Sequence, residues 1–398
     1  RTQSSVKNGS REGSQGNSVA SEGRGVSIEP DTAGGSLKVL YIHQYFNTPD
    51  MAGGTRSYEL GRRLVQQGHH VTVVASTRSS SRKTHELPDR TAGLEIIWVR
   101  GSYQQSMSVI RRILSFAEFS LRASLAVLRH KIDVVYATST PLTVALPARV
   151  ASLRSRGPMV FEVRDLWPAV PIELGALRGP LAIRLARALE KWAYKKSAAI
   201  VALSPGMARG VCEAGAPRER VHIIPNLATN LGSKVESETG ALSELYPELS
   251  NQRIALYSGA VGRVHGVEFL VEIAKHLQST GCVIAVLGGG SHLDVVTERA
   301  RQSGVLGQTF FLYPPVPKSE ALRWLQGADL ALSTVIAKPL LEDNSSNKFF
   351  EALGAGKPIA INYGGWHEEL IQESGAGIRL SNSPSLAAKQ LRSVLRDD

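Results

Sequence analysis

From Lys38 onward, short runs of β-branched and aromatic residues alternate with longer amphipathic stretches. Seven such runs come first: KVLYIH (38–43), HVTVVAS (70–76), LEIIWV (94–99), VVYAT (134–138), PMVFEV (158–163), AIVALS (199–204) and VHIIP (221–225). A second series opens at Arg253 with RIALYSG and continues through VIAVLGGG (283–290), TFFLYPP (309–315), DLALSTV (329–335), PIAINYG (358–364) and AGIRL (376–380). Apolar strands separated by helix-length segments are the pattern of βα units around a parallel sheet. The expectation is an α/β chain of two Rossmann-like lobes: an N-terminal lobe at 37–228, a linker at 229–252 and a C-terminal lobe at 253–398. The linker rests on NLATNLGSKVESETGALSEL (226–245), which is rich in Ser, Gly and Glu and has no strand period. Residues 1–36 offer almost nothing large and apolar and read as a disordered tail.

Length agrees with two domains, at 398 residues. No apolar run reaches the roughly 18–20 residues that cross a bilayer. Cys212 and Cys282 stand alone, with no cysteine or histidine at metal-ligand spacing, which excludes a disulfide scaffold and a zinc finger and points to a reducing compartment. The chain opens on Arg1 with no apolar segment behind it, so it reads as a fragment or processed product without a secretory signal. The net charge of +11 is uneven: residues 37–230 carry 27 basic and 13 acidic groups, a net +14, whereas residues 231–398 carry a net −3. A basic first lobe suits an anionic polymer or surface, with nucleic acid and anionic lipid both open, and solubility alone also accounts for it.

Four stretches carry candidate chemistry. Gly53 and Gly54 precede a helix expected near Thr55, where backbone amides can approach an anion closely. The G-x-G-x-x-G fingerprint and its acidic partner are missing, which argues against a dehydrogenase. In the second lobe Gly259, Gly262 and Gly266 surround Arg263 and His265 ahead of a helix from about Val267, a pattern suited to holding a diphosphate. In FEVRDLWP (161–168), strand alternation puts Glu162 and Arg164 on one face and Asp165 opposite or in the following loop. Either a buried Glu–Arg pair or a charge facing the cleft between the lobes follows. In LLEDNSSNKFFEALGAGKP (340–358), Ser345 or Ser346 can cap a helix starting near Asn347, with Glu351 one turn in and Asp343 eight positions before it. Lys348 sits at the helix end where the macrodipole disfavours a cation.

Residues 107–131 read as an amphipathic helix. Ile110, Ile113, Leu114, Ala117, Leu121, Leu125 and Leu128 share one face, expected to pack on the sheet. Arg111, Arg122 and Arg129 line a flank, and Arg112, Phe116 and Phe119 form the back, a combination suited to shallow contact with an anionic membrane.

The chain resembles retaining nucleotide-sugar glycosyltransferases of the GT-B fold, glycosyltransferase family 4, and more narrowly the bacterial L-fucosamine transferase-like branch. The resemblance runs from about Lys38 to Leu395 and rests on HQYF with AGG, QGHHV, STPLT (139–143), FEVRDLWP, IIPN, YSGAVGRVHG and NSSNKFFEALGAGKPI. It implies a UDP-linked nucleotide-sugar donor and a lipid-linked or glycan acceptor. It also implies peripheral contact with the inner face of the cell membrane from the cytoplasm, and no nucleic acid. Asp343 would lie near the donor sugar, Glu351 on the ribose, and Ser345, Ser346 and Asn347 beside the donor. Arg263 would hold the diphosphate with help from Lys348, and Asp165 and Arg164 would sit at the reacting centre. Arg164 stands where many members have histidine, and Asp343 is one methylene shorter than the usual glutamate. GT-B chains usually end in a helix returning to the first lobe, whereas this one stops at Asp398. No D-x-D triplet occurs, so the expectation is a metal-independent enzyme without a cofactor. The alternatives are a UDP-sugar epimerase of the same architecture and a non-catalytic two-lobed sugar-binding protein.

Overall fold

The computed structural model describes residues 35–77, 89–101, 109–228, 242 and 245–396. The expected tail up to residue 34 and most of the expected linker lie outside them. Eight strands form the first sheet: β1 Lys38–Ile42, β2 His70–Thr77, β3 Asp89–Thr91, β4 Leu94–Arg100, β5 Val134–Thr138, β6 Met159–Val163, β7 Ala199–Ala202 and β8 Val221–Ile223. Six form the second: β9 Arg253–Ser258, β10 Cys282–Leu287, β11 Phe310–Tyr313, β12 Leu330–Ser333, β13 Ile359–Ile361 and β14 Gly377–Arg379. The first sheet runs β3-β4-β2-β1-β5-β6-β7-β8 and the second β11-β10-β9-β12-β13-β14. Each opening strand sits inside its sheet because the chain first winds one way and then crosses back. The crevices where the order reverses, between β1 and β5 and between β9 and β12, are where open α/β sheets place their ligands.

All pairings are parallel except that of β3 with β4. The strand runs read from the sequence are all present. The added strand, Asp-Arg-Thr, escaped because three polar residues on an edge carry no apolar signal.

In the first lobe the helices are α1 Arg56–Gln66, α2 Val109–Val127, α3 Ala145–Ser155, α4 Ala169–Glu173, α5 Pro180–Lys196 and α6 Pro205–Glu213. In the second they are α7 Glu268–Ala274, α8 Leu293–Gln302, α9 Lys318–Gly327, α10 Pro339–Glu342, α11 Asn347–Gly354, α12 Trp366–Ser374 and α13 Pro384–Arg396. In the first lobe α1 covers one face of the sheet, with Tyr58 against Tyr41, Val73 and Phe46. The opposite face carries α2, α3, α5 and α6, through Phe119, Ala148, Ala193, Tyr194 and Met207 against Leu40, Val135 and Phe161. Helix α13 buries Ala387, Leu391 and Leu395 in the core of its own lobe.

Helix α2 corrects the sequence reading. Its buried side is Ser115, Phe119, Ala123 and Val127, with Phe119 fully inaccessible, while Ile113, Leu114, Leu121, Leu125 and the following Leu128 face outward. Leu121 is 64% exposed. Periodicity picks out the richest apolar face, but the surface beneath α2 accepts one aromatic ring among small side chains. Phe119 therefore cannot serve as a membrane-inserting residue. Arg112 and Ile110 have no described side chain. Among the described residues no helix is long and apolar enough to cross a membrane.

Candidate active-site cleft

A cleft of about 730 Å³ opens between the lobes at the carboxyl edges of both sheets. The first lobe contributes the segment after β1 (His43, Tyr45, Asn47, Gly53, Gly54), Ser139 and Thr140 after β5, Arg164 and Asp165 after β6, and Asn226 after β8. The second lobe contributes Ser258–Ala260, His265, Gly288, Gly289, Lys318, Thr334 and the run Asn344–Lys348 with Glu351.

One buried ion pair fixes the first-lobe wall. The carboxylate of Glu162, on β6 and fully buried, lies 2.8 Å from the guanidinium of Arg56, the first residue of α1. Thr138 and Tyr136 donate to the same carboxylate at 2.9 and 3.0 Å, and Arg56 also donates to the carbonyl of Ile224 at 3.0 Å. With several donors satisfied, the desolvated pair ties the start of α1, and hence Gly53 and Gly54, to the neighbouring strands. Glu162 thus pairs with Arg56 and leaves Arg164 free to face the cleft.

Beside it, Asp165 accepts from the Thr140 hydroxyl at 3.0 Å. Asp165 is open to the cleft, yet the protein packed around it raises its carboxyl above the ordinary value, with the Thr140 bond and Arg164 pulling the other way. Gly54 meets the second lobe, since a Cβ there would stand 2.8 Å from the Asn347 amide nitrogen.

On the second-lobe side the backbone comes first. A Cβ on Gly288 would lie 1.9 Å from the Gly259 carbonyl oxygen, and one on Gly259, whose φ is +147°, would strike Lys348 Cε at 2.6 Å. Only glycine lets these two loops and the Lys348 stem close on one another. Opposite them begins α11. Ser346 holds its N-cap position but its side chain makes no capping bond, pairing instead with the Ser333 hydroxyl at 3.2 Å. The first-turn amides of α11 thus keep their donors for something in the cleft.

Lys348 lies in that first turn, its ammonium 5.0 Å from the ring centre of Tyr257. Burial pushes its pKa down to about 8, partly offset by Glu351. His265 faces the same space. Its Nδ1 accepts from the Gly262 amide at 3.1 Å, which leaves the ring proton on Nε2, and burial reinforced by Lys348 lowers its pKa to about 3. It is therefore a neutral donor. Lys318, nearly inaccessible, ion-pairs with Glu351. Asn47, Asn226 and Asn344 each keep a buried side-chain oxygen without a protein partner among the described residues. Such a wall suits a polar, anionic ligand.

Of the residues expected from sequence, Gly53, Gly54, Arg164, Asp165, Ser345, Ser346, Asn347, Lys348 and Glu351 line the cleft. Three do not. Asp343 ends α10 with its carboxylate 3.2 Å from Arg209 of α6, and its carbonyl accepts from Ser204. It joins the lobes instead of lining the cleft. Arg263 opens the one-turn 3₁₀ helix Arg263–His265, which turns His265 inward and leaves Arg263 on the exposed side. The Gly262 amide is spent on His265, so it is not free for a phosphate. His265, Lys318, Asn226 and Asn344 were missed; the I-I-P-N and N-S-S-N runs held the two asparagines in view without indicating that Asn226 donates across the cleft to the Ser345 carbonyl at 2.7 Å.

The fold agrees with that of known proteins. Residues 52–227 match the glycosyl transferase 4-like domain. WcaI of Escherichia coli (strain K12), named for a glycosyl transferase of colanic acid biosynthesis, is 24% identical over 302 residues, 72% of this chain and 73% of its own. Among solved structures, Anabaena Alr3699/HepE in complex with UDP-glucose superposes with a TM-score of 0.68 at 15% identity, over 91% of this chain and 90% of that one. WaaG, a glycosyltransferase involved in lipopolysaccharide biosynthesis, does so at 0.64 and 16% identity, over 90% of each. The likeness to these structures is one of fold, two facing α/β lobes with a cleft between them. With that fold and a glycosyl transferase 4-like domain matched in its first lobe, the chain is similar to the family 4 glycosyltransferases of the GT-B fold.

Proposed function

We propose that the enzyme moves a sugar from a UDP-linked donor, held against the second-lobe wall, to a glycan or polyprenyl-diphosphate-linked acceptor entering along the first lobe. In this reading it works in surface polysaccharide synthesis at the inner face of the cell membrane. The observation that carries it is the uncapped start of α11 with Lys348, set against the paired glycines Gly259 and Gly288. Backbone amides, a helix start and one desolvated ammonium together form a seat for a diphosphate, and they would stabilise its charge as the leaving group departs. Glu351, one turn further along α11, would take the ribose hydroxyls in exchange with Lys318.

Arg164 and Asp165 approach from the opposite wall, where the acceptor hydroxyl would lose its proton. The protein packed around the cleft-facing Asp165 raises its carboxyl, which makes it a better base than an ordinary carboxylate. We further propose that transfer retains the anomeric configuration, the acceptor oxygen bonding to the anomeric carbon on the face from which the UDP oxygen departs, and needs no metal, the leaving charge being met by Lys348 and amide donors.

The test is incubation of the protein with UDP-sugars alone and then with a polyprenyl-diphosphate-linked glycan. Release of UDP that depends on the acceptor, with a glycan heavier by one sugar, is the expected result. Conversion of the donor without acceptor would mean an epimerase, and binding without turnover a sugar-binding protein.

A further inference from the structure

Two asparagines in the first-lobe wall of the cleft are half satisfied. Asn47 follows β1 and Asn226 follows β8, and they are only 6% and 5% exposed. Each has its amide nitrogen committed to a backbone carbonyl: Asn47 Nδ2 donates to Gly54 at 3.2 Å, and Asn226 Nδ2 donates to Ser345 at 2.7 Å. A carbonyl only accepts, so neither amide can be turned over, and the oxygen is the end left without work. Both oxygens are screened from bulk water and meet no donor among the described residues. An acceptor left in that state is costly, and two of them in one cleft wall mark a place where a ligand supplies the donors.

Both side chains are held firmly. Gly54 lies two positions before Arg56, and Asn226 follows Ile224 and Pro225, whose carbonyls accept from the Arg56 guanidinium. The buried Arg56–Glu162 pair therefore anchors the two asparagines at once. Gly53, at a φ of +122°, makes room for Asn47, since a Cβ there would stand 2.8 Å from the Asn47 amide nitrogen. Groups fixed in this way select a ligand that fits them instead of adapting to it.

Their position names the ligand. Asn226 is bonded to Ser345, two residues before Asn347 opens α11, and Gly54, the partner of Asn47, is the residue whose Cβ would stand 2.8 Å from the Asn347 amide nitrogen. Both asparagines thus border the α11 start, the proposed seat of the diphosphate, and the group attached to that diphosphate is the donor sugar. The carboxylate that the resemblance put beside the sugar, Asp343, is taken up by Arg209. We infer that Asn47 and Asn226 are specificity-determining residues for the donor sugar, the side-chain oxygen of each accepting a hydrogen bond from a hydroxyl or acylamino N–H on the sugar ring. The donor class that follows is a sugar that carries such a group at both of the positions they meet. Amides are neutral, so they sort sugars by where hydrogen-bond donors lie and not by charge. A sugar lacking one of the groups leaves a buried oxygen unpaired, which is the kind of mismatch that binding sites reject most strongly. The inference rests on the sugar-transfer reading for the place of the diphosphate.

The experiment is calorimetric titration of the full chain with UDP, with UDP-glucose, UDP-galactose and UDP-N-acetylglucosamine, and then with the monodeoxy forms of whichever sugar binds tightest. For the wild type, removing either of two ring substituents should weaken binding by at least about tenfold. In Asn226→Ala one of those two substituents should cease to matter, and in Asn47→Ala the other, whatever the variant does to UDP itself, because the oxygen each met is gone. Thermal melts show that the variants fold, and the wild-type series decides the matter without them. A wild type indifferent to every ring substituent would overturn the inference, since water would then fill these positions. Variants that keep the wild-type ranking of the deoxy sugars would overturn it as well, leaving the asparagines as braces between backbone segments. Failure of the wild type to bind UDP would overturn the proposed function and this inference with it, whereas UDP binding without any hydroxyl preference would overturn the inference alone.

Discussion

Replacing Lys348 by methionine keeps the stem that packs on Gly259 and removes only the ammonium. Two effects of opposite sign should follow. If the ammonium meets the donor diphosphate, its loss forfeits a charged hydrogen bond worth about 1.5–3 kcal/mol, or roughly ten- to 150-fold in UDP affinity. Stability should move the other way. The ammonium titrates at about 8 in the folded chain against 10.5 in an ordinary lysine, because burial disfavours its charge. Below pH 8 the folded state therefore carries a charge that the unfolded state would hold more readily. At about 1.4 kcal/mol per unit, this costs up to about 3 kcal/mol near neutrality. Wild-type stability should consequently rise between pH 8 and 10.5, and Lys348→Met should melt higher at pH 7 and lack that rise. The wild-type affinity for UDP should be flat below pH 8 and weaken above it as the free ammonium loses its proton. Calorimetric titration of UDP at several pH values, with parallel thermal melts, measures all of this. A methionine variant that binds UDP as tightly as the wild type would refute the assignment of Lys348 to the diphosphate.

Four further outcomes can be checked. Glu162→Gln should lower stability by about 3–5 kcal/mol in a denaturant titration, because it leaves the buried Arg56 guanidinium without its counter-charge. Asp343→Asn should leave UDP affinity unchanged in calorimetry and cost at most about 1 kcal/mol of stability, its partner Arg209 being largely exposed. His265 and His367 are both held neutral to about pH 3 by burial, so below about pH 6.5 the unfolded chain binds more protons. Each then lowers stability by about 1.4 kcal/mol per pH unit, and His367→Phe should make the measured slope shallower by about that amount in melts between pH 6.5 and 4. A chelator such as EDTA should leave acceptor-dependent UDP release unchanged.

What the sequence made legible follows from where its signals are local. The strand runs, the glycine turns at Gly53–Gly54 and Gly288–Gly290, and the start of α11 near Asn347 are written in consecutive residues, and the structure places them as read. What was lost depends on partners distant in the chain. Apolar periodicity found α2 but could not tell which side the sheet would accept, so its leucines were turned inward on paper and outward in the fold. The resemblance put Asp343 near the donor sugar, but the end of α10 points it across to Arg209. Arg263 was the expected diphosphate cation from its place among Gly259, Gly262 and Gly266, and a single 3₁₀ turn leaves it exposed and brings His265 to the cleft. Lys318 and Asn226 join the cleft only because β11 and β8 end there.

The account is tested most directly by the structure of the protein with UDP bound. The diphosphate should lie between the Gly259–Ala260 and Gly288–Gly289 backbone and the first turn of α11, with the ribose within reach of Glu351 and the ammonium of Lys348 on a phosphate oxygen. UDP found instead on another part of the surface, with the interlobe cleft empty, would contradict it.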